Sequence, residues 1–558
     1  MGNLNLKRGM VLEEFDICIV GSGAGASPIA YELSKAGAKV CVLEKGAFYK
    51  RDDFSKDEIA FCTREILTPD INKEYQIIER FEEDRWQSFT PQNSSENFWN
   101  GSLVGGSSNL MGGFFHRMHP KDFKLLTHFG KVEGANIANW PITYDEMEPY
   151  YTKVEKVVGI SGRFEPFKYE PPRSKKDFPY PPLKEHPISK ILDKKIKKLN
   201  LTPLNLPRAI LSTNKKDRDS CYFSNFCSSY GCSSGAKGSA LEALLNPALK
   251  TKNLTIKPLC HVTKLIKGKN NLIKEAIYID KLAKKEKKIK AKIFVVAAQA
   301  SESVRLLLNS NLANSSGELG KNFLFGGIGG LAYAKVTKDF MPLQDLMIRG
   351  LFINRTIKDF YFLDDGKSKG GVLDFLFSNQ NPIYRAHFQA FDDDFNPIYG
   401  KDLQKRLKFE FLEQKQLNIE VFNDFLPHDN CFVTVDKNHK DIFKMPVAKI
   451  RVSTHKKTYE VAKRLTLKAV DILKGIGIDK RYIGAKIQPF HPPKNLQAGG
   501  CRFGDDPKKS VLNRFCQSFD HQNLFVTDGS FMPTGGSVPF TWTIYANSFR
   551  VAEYIKSL

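Results

Sequence analysis

The most regular hydrophobic pattern of the chain lies near its start, in FDICIVGSGAGASPIAYELSKAGAKVCVLEKG. Apolar runs over 16–20 and 39–43 predict two buried strands, and the apolar residues at helical spacing over 26–36 predict a helix between them. A strand, a helix and a second strand in this order form a βαβ unit, which is typical of a parallel sheet.

The turn between the first strand and the helix carries a small-residue motif. Gly21, Gly23 and Ala26 match G-x-G-x-x-G/A, in which the first glycine allows a tight turn and the second lets the backbone approach a pyrophosphate. A phosphate there would meet the helix N-terminus, where free N–H groups favour negative charge. Glu44 ends the second strand, where an acid can bind a ribose. The unit predicts dinucleotide binding, and an ordinary glycine-rich turn is the alternative.

Later segments continue the strand and helix patterns. Residues 254–266 alternate as a strand, and residues 292–310 are typical of a buried strand that enters a helix. Apolar and aromatic runs with polar breaks over 407–422 and 430–453 predict an antiparallel sheet, and 458–477 predicts a helix that ends at a glycine. The seven prolines of 165–187 predict an extended surface connection.

The last segment is unusual because no charged side chain occurs between Asp528 and Arg550. A membrane-spanning helix needs about 20 mostly apolar residues, whereas this stretch contains two prolines, three glycines and many hydroxyls. We therefore expect a buried turn and helix start that pack against a neutral, flat group.

Composition narrows the class of protein. The net charge of +23 over 558 residues comes mainly from lysines scattered among acids, which favours a solvated surface over a polyanionic partner, and no nucleic acid is expected. Ten cysteines in so long a chain are typical of reduced thiols. Because a strand begins almost at once, we expect no signal peptide, no transmembrane segment and a soluble, cytoplasmic protein.

In this order the segments resemble the glucose-methanol-choline (GMC) family of flavin oxidoreductases, and the resemblance includes both ends of the chain. It implies an α/β protein with a Rossmann-like FAD-binding domain assembled from discontinuous segments, 10–324 and 490–558. It also implies an inserted α+β substrate domain at 325–489, with an antiparallel sheet backed by helices. The motif residues that correspond to the family's FAD contacts are Gly21, Gly23, Ala26, Glu44, Val104, Gly105, Gly106, Ser107, Asn109, Val262, Asp528, Gly529 and Thr543.

The resemblance implies a dehydrogenase that oxidises a CH–OH group of a sugar, a cyclitol or a related polar alcohol by hydride transfer to FAD. The family places a histidine, and a histidine or asparagine, at positions that are Leu496 and Pro539 here. His491 is one candidate for the missing base, and His116 or His119 is another. The third alternative is a lyase-like or electron-transfer flavoprotein that oxidises no alcohol.

Three cysteines form a candidate metal-binding motif. Cys221, Cys227 and Cys232 are spaced C-x5-C-x4-C in a loop rich in glycine and serine. Some sugar dehydrogenases of the family carry a three-iron four-sulfide cluster on a similar loop, so the resemblance implies a candidate iron–sulfur site. Such a site would pass flavin electrons to a separate acceptor. A zinc site and reduced structural thiols are the alternatives.

Overall fold

The computed structural model describes residues 13–62, 66–94, 98, 100–487 and 496–558. In this part of the chain the strands are β1 (Glu13–Val20), β2 (Val40–Leu43), β3 (Ile77–Glu82), β4 (Arg85–Phe89), β5 (Pro203–Asn205), β6 (Leu254–Lys257), β7 (Cys260–Lys267), β8 (Ile273–Asp280), β9 (Lys285–Val296), β10 (Leu324–Phe325), β11 (Ile328–Thr337), β12 (Arg355–Ile357), β13 (Phe362–Leu363), β14 (Ser368–Lys369), β15 (Gly371–Phe377), β16 (Gln414–Asn423), β17 (Phe432–Lys440), β18 (Pro446–Arg451), β19 (Ile483–Ile487), β20 (Gln497–Ala498) and β21 (Leu524–Val526).

The α-helices vary from a single turn to about five turns, and short 3-10 and π segments connect some of them. They are α1 (Ser27–Lys35), α2 (Glu58–Cys62), α3 (Leu125–Phe129), α4 (Tyr144–Val154), α5 (Ile188–Lys197), α6 (Asn246–Leu249), α7 (Ala300–Ser310), α8 (Leu343–Leu346), α9 (Pro382–Gln389), α10 (Gly400–Lys408), α11 (Lys456–Gly475) and α12 (Thr541–Lys556).

The predicted βαβ unit forms the centre of a seven-stranded sheet. β1 pairs in parallel with β2 and β9, and Ile17 lies opposite Val40 on one side and Ile293 on the other. β6 and β21 extend the parallel part, and β8 and β7 follow in antiparallel order. Distant segments of the chain therefore meet in one sheet, which confirms the predicted fold class and its discontinuous assembly.

A six-stranded antiparallel sheet has the order β19-β11-β16-β15-β12-β5. α11 covers one face and buries Leu465, Ala469 and Leu473, which lie one turn apart along its apolar stripe. β5 precedes the predicted insert, so this sheet draws on residues outside 325–489. The bounds of a substrate domain stay a prediction.

A smaller four-stranded sheet has the order β17-β18-β3-β4, and β18 pairs in parallel with β3. Sequence analysis expected 407–422 and 430–453 to share one antiparallel sheet, but the structure places them in two sheets. The reason is that both edges of β16 are already paired, with β11 and β15, so β17 has no free edge to join there.

The uncharged segment after Asp528 is buried as expected. Every residue from Leu524 to Arg550 is buried except Thr541, the first residue of α12. α12 packs against α1 and α4 and so brings the end of the chain onto the βαβ unit. The proline-rich connection at 165–187 contains neither helix nor strand.

Candidate functional site

The glycine turn after β1 is shaped by backbone contacts. Gly21 has φ +91°, and a Cβ at this position would lie 2.3 Å from the carbonyl oxygen of Ala297. A Cβ on Gly25 would lie 2.5 Å from the carbonyl oxygen of Thr527. Only glycine fits these two positions, because each lies against the backbone of another segment.

Gly23 differs from its neighbours, because a Cβ there would meet no protein atom within 4 Å. Gly23 also lines a cavity that begins at this turn. The open space in front of a glycine at the second motif position is where a pyrophosphate would approach the backbone. The open space at Gly23 shows that the residues of this turn fit a dinucleotide.

Glu44 lies at the cavity wall, at the end of β2. Its carboxylate accepts hydrogen bonds from the Ser22 hydroxyl at 2.5 Å and from the Gly46 amide at 2.8 Å. Burial raises the pKa of Glu44. The carboxylate oxygens have further acceptor capacity, which a ribose hydroxyl would use.

Asp528 also lines the cavity, next to the backbone of Gly25, and it joins the start of α7 to the last segment of the chain. Its carboxylate accepts hydrogen bonds from the Ser303 hydroxyl of α7, from the Ser530 amide at 2.9 Å and from the Gln299 backbone. Burial raises the pKa of Asp528. Gln299, which also lines the cavity, has φ +81°, a conformation that non-glycine residues rarely adopt and that often marks binding sites.

The second glycine loop contacts the first one. The Gly105 amide donates to the Ser22 hydroxyl at 2.9 Å, and the Asn109 side chain donates to the carbonyl oxygen of Val104 at 3.0 Å. Gly106 and Ser107 line the cavity. The second loop is therefore held by its own Asn109 side chain and by Ser22 of the first loop.

The predicted FAD contacts fall into two groups. Ala26, Val104, Gly105, Asn109 and Thr543 lie behind the cavity wall, where Thr543 for example hydrogen-bonds the Tyr151 hydroxyl at 2.8 Å. A direct contact of these five residues with a cofactor stays a prediction. The structure brings the other predicted residues together at the cavity surface, namely Gly21, Gly23, Glu44, Gly106, Ser107, Val262, Asp528 and Gly529.

Sequence analysis missed a charged group at the Val262 end of the cavity. Lys45 pairs with Glu74 at 3.0 Å, and Arg305 pairs with Glu302 at 3.2 Å and with Asp441 at 2.5 Å. Burial acts to raise the pKa of Glu302, but the Arg305 and Lys45 cations outweigh it and lower this pKa. Lys45, Glu302 and Arg305 line the cavity, so this end is polar and its charges are paired.

His261 is a second missed residue at this end, next to Val262 on β7. Its ring stacks on Phe443 with 4.6 Å between centroids, and burial lowers its pKa well below the usual value. Within the described chain its Nε2 has no hydrogen-bond partner. His261 therefore places a neutral imidazole in the wall where the resemblance locates the adenine.

At the Leu496 end the cavity wall is uncharged, and its few amide and hydroxyl groups lie among apolar side chains. Leu496, Phe540 and Ile544 line this end, and a Cβ on Gly326 would lie within 3.0 Å of both Leu496 and Phe540. Pro539 is buried and does not line the cavity. A largely apolar, uncharged wall suits a neutral ring system better than a charged ligand.

The three candidate bases differ in their position relative to the cavity. The His116 imidazole is buried and hydrogen-bonds Asp374 at 3.0 Å, beside a different and smaller pocket. His119 accepts from the Lys121 amide at 3.2 Å, and burial lowers its pKa to about 4. Neither residue lines the large cavity. His491 lies outside the described residues.

Comparison with known proteins assigns this chain to a family. Two family models described as GMC oxidoreductase match residues 181–325 and 427–548. The chain is a GMC oxidoreductase. It is thus a member of a family of FAD-binding oxidoreductases, which confirms the resemblance and accounts for the two glycine loops that meet at the cavity.

Several characterised enzymes align with this GMC chain over almost its whole length. A 2-methyl-1,2-propanediol dehydrogenase of Mycolicibacterium austroafricanum is 26% identical over 98% of this chain and 95% of its own. A 6'''-hydroxyparomomycin C oxidase of Streptomyces lividus is 25% identical over 99% and 93%. A gluconate 2-dehydrogenase flavoprotein of Pantoea cypripedii is 24% identical over 98% and 94%.

Solved structures show the same fold. A formate oxidase of Aspergillus oryzae superposes with a TM-score of 0.63 at 16% identity, covering 98% of both chains. A pyridoxine 4-oxidase of Mesorbium loti superposes with a TM-score of 0.60 at 17% identity, covering 98% of this chain and 99% of its own.

The cysteine loop lies next to the second glycine loop. The Lys237 ammonium donates to the carbonyl oxygens of Asn109 at 2.8 Å and Cys227 at 2.7 Å and so ties the two loops together. Burial raises the pKa of Cys221 to about 12 and also raises that of Cys227. Burial acts to raise the pKa of Cys232 as well, but the nearby Lys237 and a Ser234 hydrogen bond lower it overall.

These cysteines do not form a recognisable metal site. In residues 13–62, 66–94, 98, 100–487 and 496–558 no group of three His, Cys, Asp or Glu side chains is arranged to hold a metal ion. The three cysteines pack with Leu183, Leu211 and other apolar residues. The described geometry therefore gives the iron–sulfur prediction no support and favours packed thiols.

Among the described helices none is both long and apolar enough to span a membrane.

We expect the Gly23→Val variant to fold but to lose FAD. The added side chain would occupy open space rather than protein, so the variant should unfold near the temperature of cofactor-free wild type while its FAD affinity falls about 100-fold or more, which is about 2.7 kcal/mol. Differential scanning fluorimetry and released-flavin fluorescence would measure the two effects. Gly25→Val is the contrast, because its Cβ would clash with backbone and should impair folding itself. Normal flavin content in Gly23→Val would refute this placement of the pyrophosphate.

We expect serine substitution of Cys221, Cys227 or Cys232 to leave metal content unchanged. If the thiols only pack, each variant should keep its FAD and lose about 1–2 kcal/mol of stability, and elemental analysis of anaerobically purified protein should give iron at background. Cys431→Ser, a buried cysteine in another part of the core, is the matched control. About three irons per wild-type chain, lost in each of the three variants but not in the control, would restore the cluster.

Proposed function

We propose that the protein is an FAD-dependent dehydrogenase that oxidises a CH–OH group of a sugar, a cyclitol or a related polar alcohol. The names of two aligned relatives give a propanediol and gluconate as substrates, and both are polar hydroxyl compounds. The alignments extend over nearly the whole chain, so they include both ends of the cavity. A dehydrogenase of this kind passes its electrons to a separate acceptor.

The observation that carries the proposal is the contrast between the two ends of one cavity. The glycine turn and the paired charges beside Val262 suit the nucleotide half of FAD, and the apolar wall at Leu496 and Phe540 suits its ring system. FAD, when bound, supplies the hydride acceptor for the alcohol C–H bond. The protein must then hold the alcohol at this apolar end and remove its hydroxyl proton.

The proton acceptor is proposed to be His491. Among the described cavity-lining residues near Leu496, the polar side chains are amides and hydroxyls, such as those of Gln497 and Thr541, which are poor bases. The Gln497 amide is also engaged, because it donates to the Asn100 side chain at 2.9 Å. His491 precedes Leu496 by five residues, a reach of at most about 18 Å. His116 and His119 are not proposed, since neither of them lines the cavity.

One observation favours the alternative function. Leu496 occupies the position of the family's usual histidine and lines the cavity with an apolar side chain. A pocket without any base would suit a flavoprotein that performs a lyase-like reaction or electron transfer instead of alcohol oxidation.

We also propose a cytoplasmic location. None of the ten cysteines, all of which lie in the described residues, takes part in a disulfide. Reduced cysteines in this number are usual for a reducing compartment.

The proposed function predicts that at least one polar alcohol reduces the bound flavin without oxygen. The FAD-loaded protein would be mixed anaerobically with a panel of sugars, cyclitols and diols while the flavin absorbance is followed. Loss of the oxidised flavin spectrum with one compound supports the dehydrogenase. A flavin that dithionite reduces but that no member of a broad panel reduces would favour the alternative.

The assignment of His491 predicts that His491→Ala slows flavin reduction by about 100-fold or more, because general-base catalysis contributes on this scale. Substrate affinity should change far less, since the base acts in the chemical step. His439→Ala is the matched control, because His439 lies on β17 and does not line the cavity. An unchanged rate of reduction in His491→Ala, measured by anaerobic stopped flow, would exclude His491 as the base.

A further inference from the structure

The connection between β15 and β16 is far longer than the sheet requires. These strands are antiparallel neighbours, with Phe377 opposite Leu417, and such pairs are usually joined by two to five residues. Here the chain leaves the sheet at Ser378 and returns at Glu413, forming α9 and α10 on the way. We call residues 378–413 the excursion.

The excursion contributes almost nothing to a core. In this fully described stretch no residue from 378 to 409 is buried, and neither α9 nor α10 has a buried side chain. Isolated helices shorter than about 12 residues are marginal in water, and both helices are shorter than that. Local propensity alone therefore does not explain why two helices persist here.

Polar contacts fix the base of the excursion. The Glu58 carboxylate accepts hydrogen bonds from the amides of Ile383 and Tyr384, each at 2.8 Å. The Arg385 guanidinium donates to the Glu410 carboxylate at 2.8 Å. These contacts orient the two helices, but they leave the apolar side chains outside.

Six large apolar side chains of the excursion are exposed to solvent. Phe395 and Tyr399 are each 80% exposed, and at least half of each of four others is exposed. Single exposed apolar residues are ordinary, but a group on one segment marks an interaction surface. The other four residues are Ile383, Tyr384, Phe388 and Leu412.

The excursion carries an acidic and a basic stretch that can meet across a two-fold axis. Asp392, Asp393 and Asp394 form an exposed acidic turn beside Phe395, and Lys401, Lys405, Arg406 and Lys408 make α10 basic. Within one chain the basic residues of this fully described stretch form only exposed pairs, such as Lys405 with Asp402 at 3.6 Å and Lys408 with Glu413 at 3.1 Å. A two-fold axis brings a surface face to face with itself, so the acidic turn of one copy can meet the basic helix of the other. The rest of this strongly basic chain would repel a second copy.

We propose that the excursion is the interface of a homodimer. The exposed parts of its four aromatic rings supply on the order of 500 Å² of apolar area, and a stable interface needs roughly 800 Å² from each partner. Ile383, Leu412 and the complementary charges supply the remainder. An anionic membrane is a poorer partner for this surface, because the acidic turn lies beside its most exposed aromatic residues.

The FAD-loaded full-length protein should sediment at about 10 µM as a dimer with twice the chain mass of 63.2 kDa. The double variant Phe395→Ser, Tyr399→Ser should dissociate at least tenfold more readily, and its FAD content should not change. Both side chains are largely in solvent, so the substitutions should not disturb folding. Leu282→Ser, another exposed apolar residue outside the excursion, should leave the dimer unchanged.

Charge reversal tests the two-fold arrangement itself. Asp393→Lys with Asp394→Lys should weaken the dimer at least tenfold, and so should Lys401→Glu with Lys405→Glu. All four substitutions together should restore it to within about threefold, because the acidic and basic surfaces have exchanged places. The proposal is overturned if the wild type is a monomer, or if its dimer is insensitive to these variants. It is also overturned if the fourfold variant does not recover the dimer, or if a monomer binds phosphatidylglycerol vesicles through Phe395 and Tyr399.

Discussion

The structure depends on one close approach between segments from opposite ends of the chain. The backbone at Gly25 lies so near Thr527 that no side chain fits between them. The hydroxyls of Thr527 and Ser548 both donate to the Gly25 carbonyl oxygen, at 2.8 and 2.6 Å. These two bonds satisfy a buried carbonyl that would otherwise be costly, and they hold the glycine turn in the shape that opens Gly23 to the cavity.

This approach also explains the uncharged segment. Asp528 is the acidic residue that precedes the uncharged segment. Its buried carboxylate is stabilised because hydroxyl and amide donors surround it. Beyond it, a charged side chain would be buried against α1, α4 or the apolar end of the cavity with no partner. Hydroxyls replace charges here because they can donate to backbone carbonyls without carrying a net charge into the core.

The sequence predicted the parts of the protein that local patterns determine. The βαβ unit, the glycine turn and Glu44 follow from short-range periodicity and one motif, and the family resemblance ordered the distant segments correctly. The placement of β17 and β18 in a separate sheet did not follow, because it depends on which edges of β16 are already paired. Lys45 and His261 could have been found, since each neighbours a predicted contact. Arg305 could not, because its partner Asp441 is remote in the sequence and no local pattern joins them.

The contact at Gly25 also sets the order of events during synthesis. The N-terminal turn leaves the ribosome first, yet β21 and the Ser548 hydroxyl that complete it belong to the last part of the chain. Translation adds about 5–20 residues per second, so the two segments remain separated for on the order of half a minute or more. The nascent chain must keep an unfinished parallel sheet from pairing elsewhere during that time, and the wall of the cavity at Gly25 is complete only after β21 and Ser548 have been made.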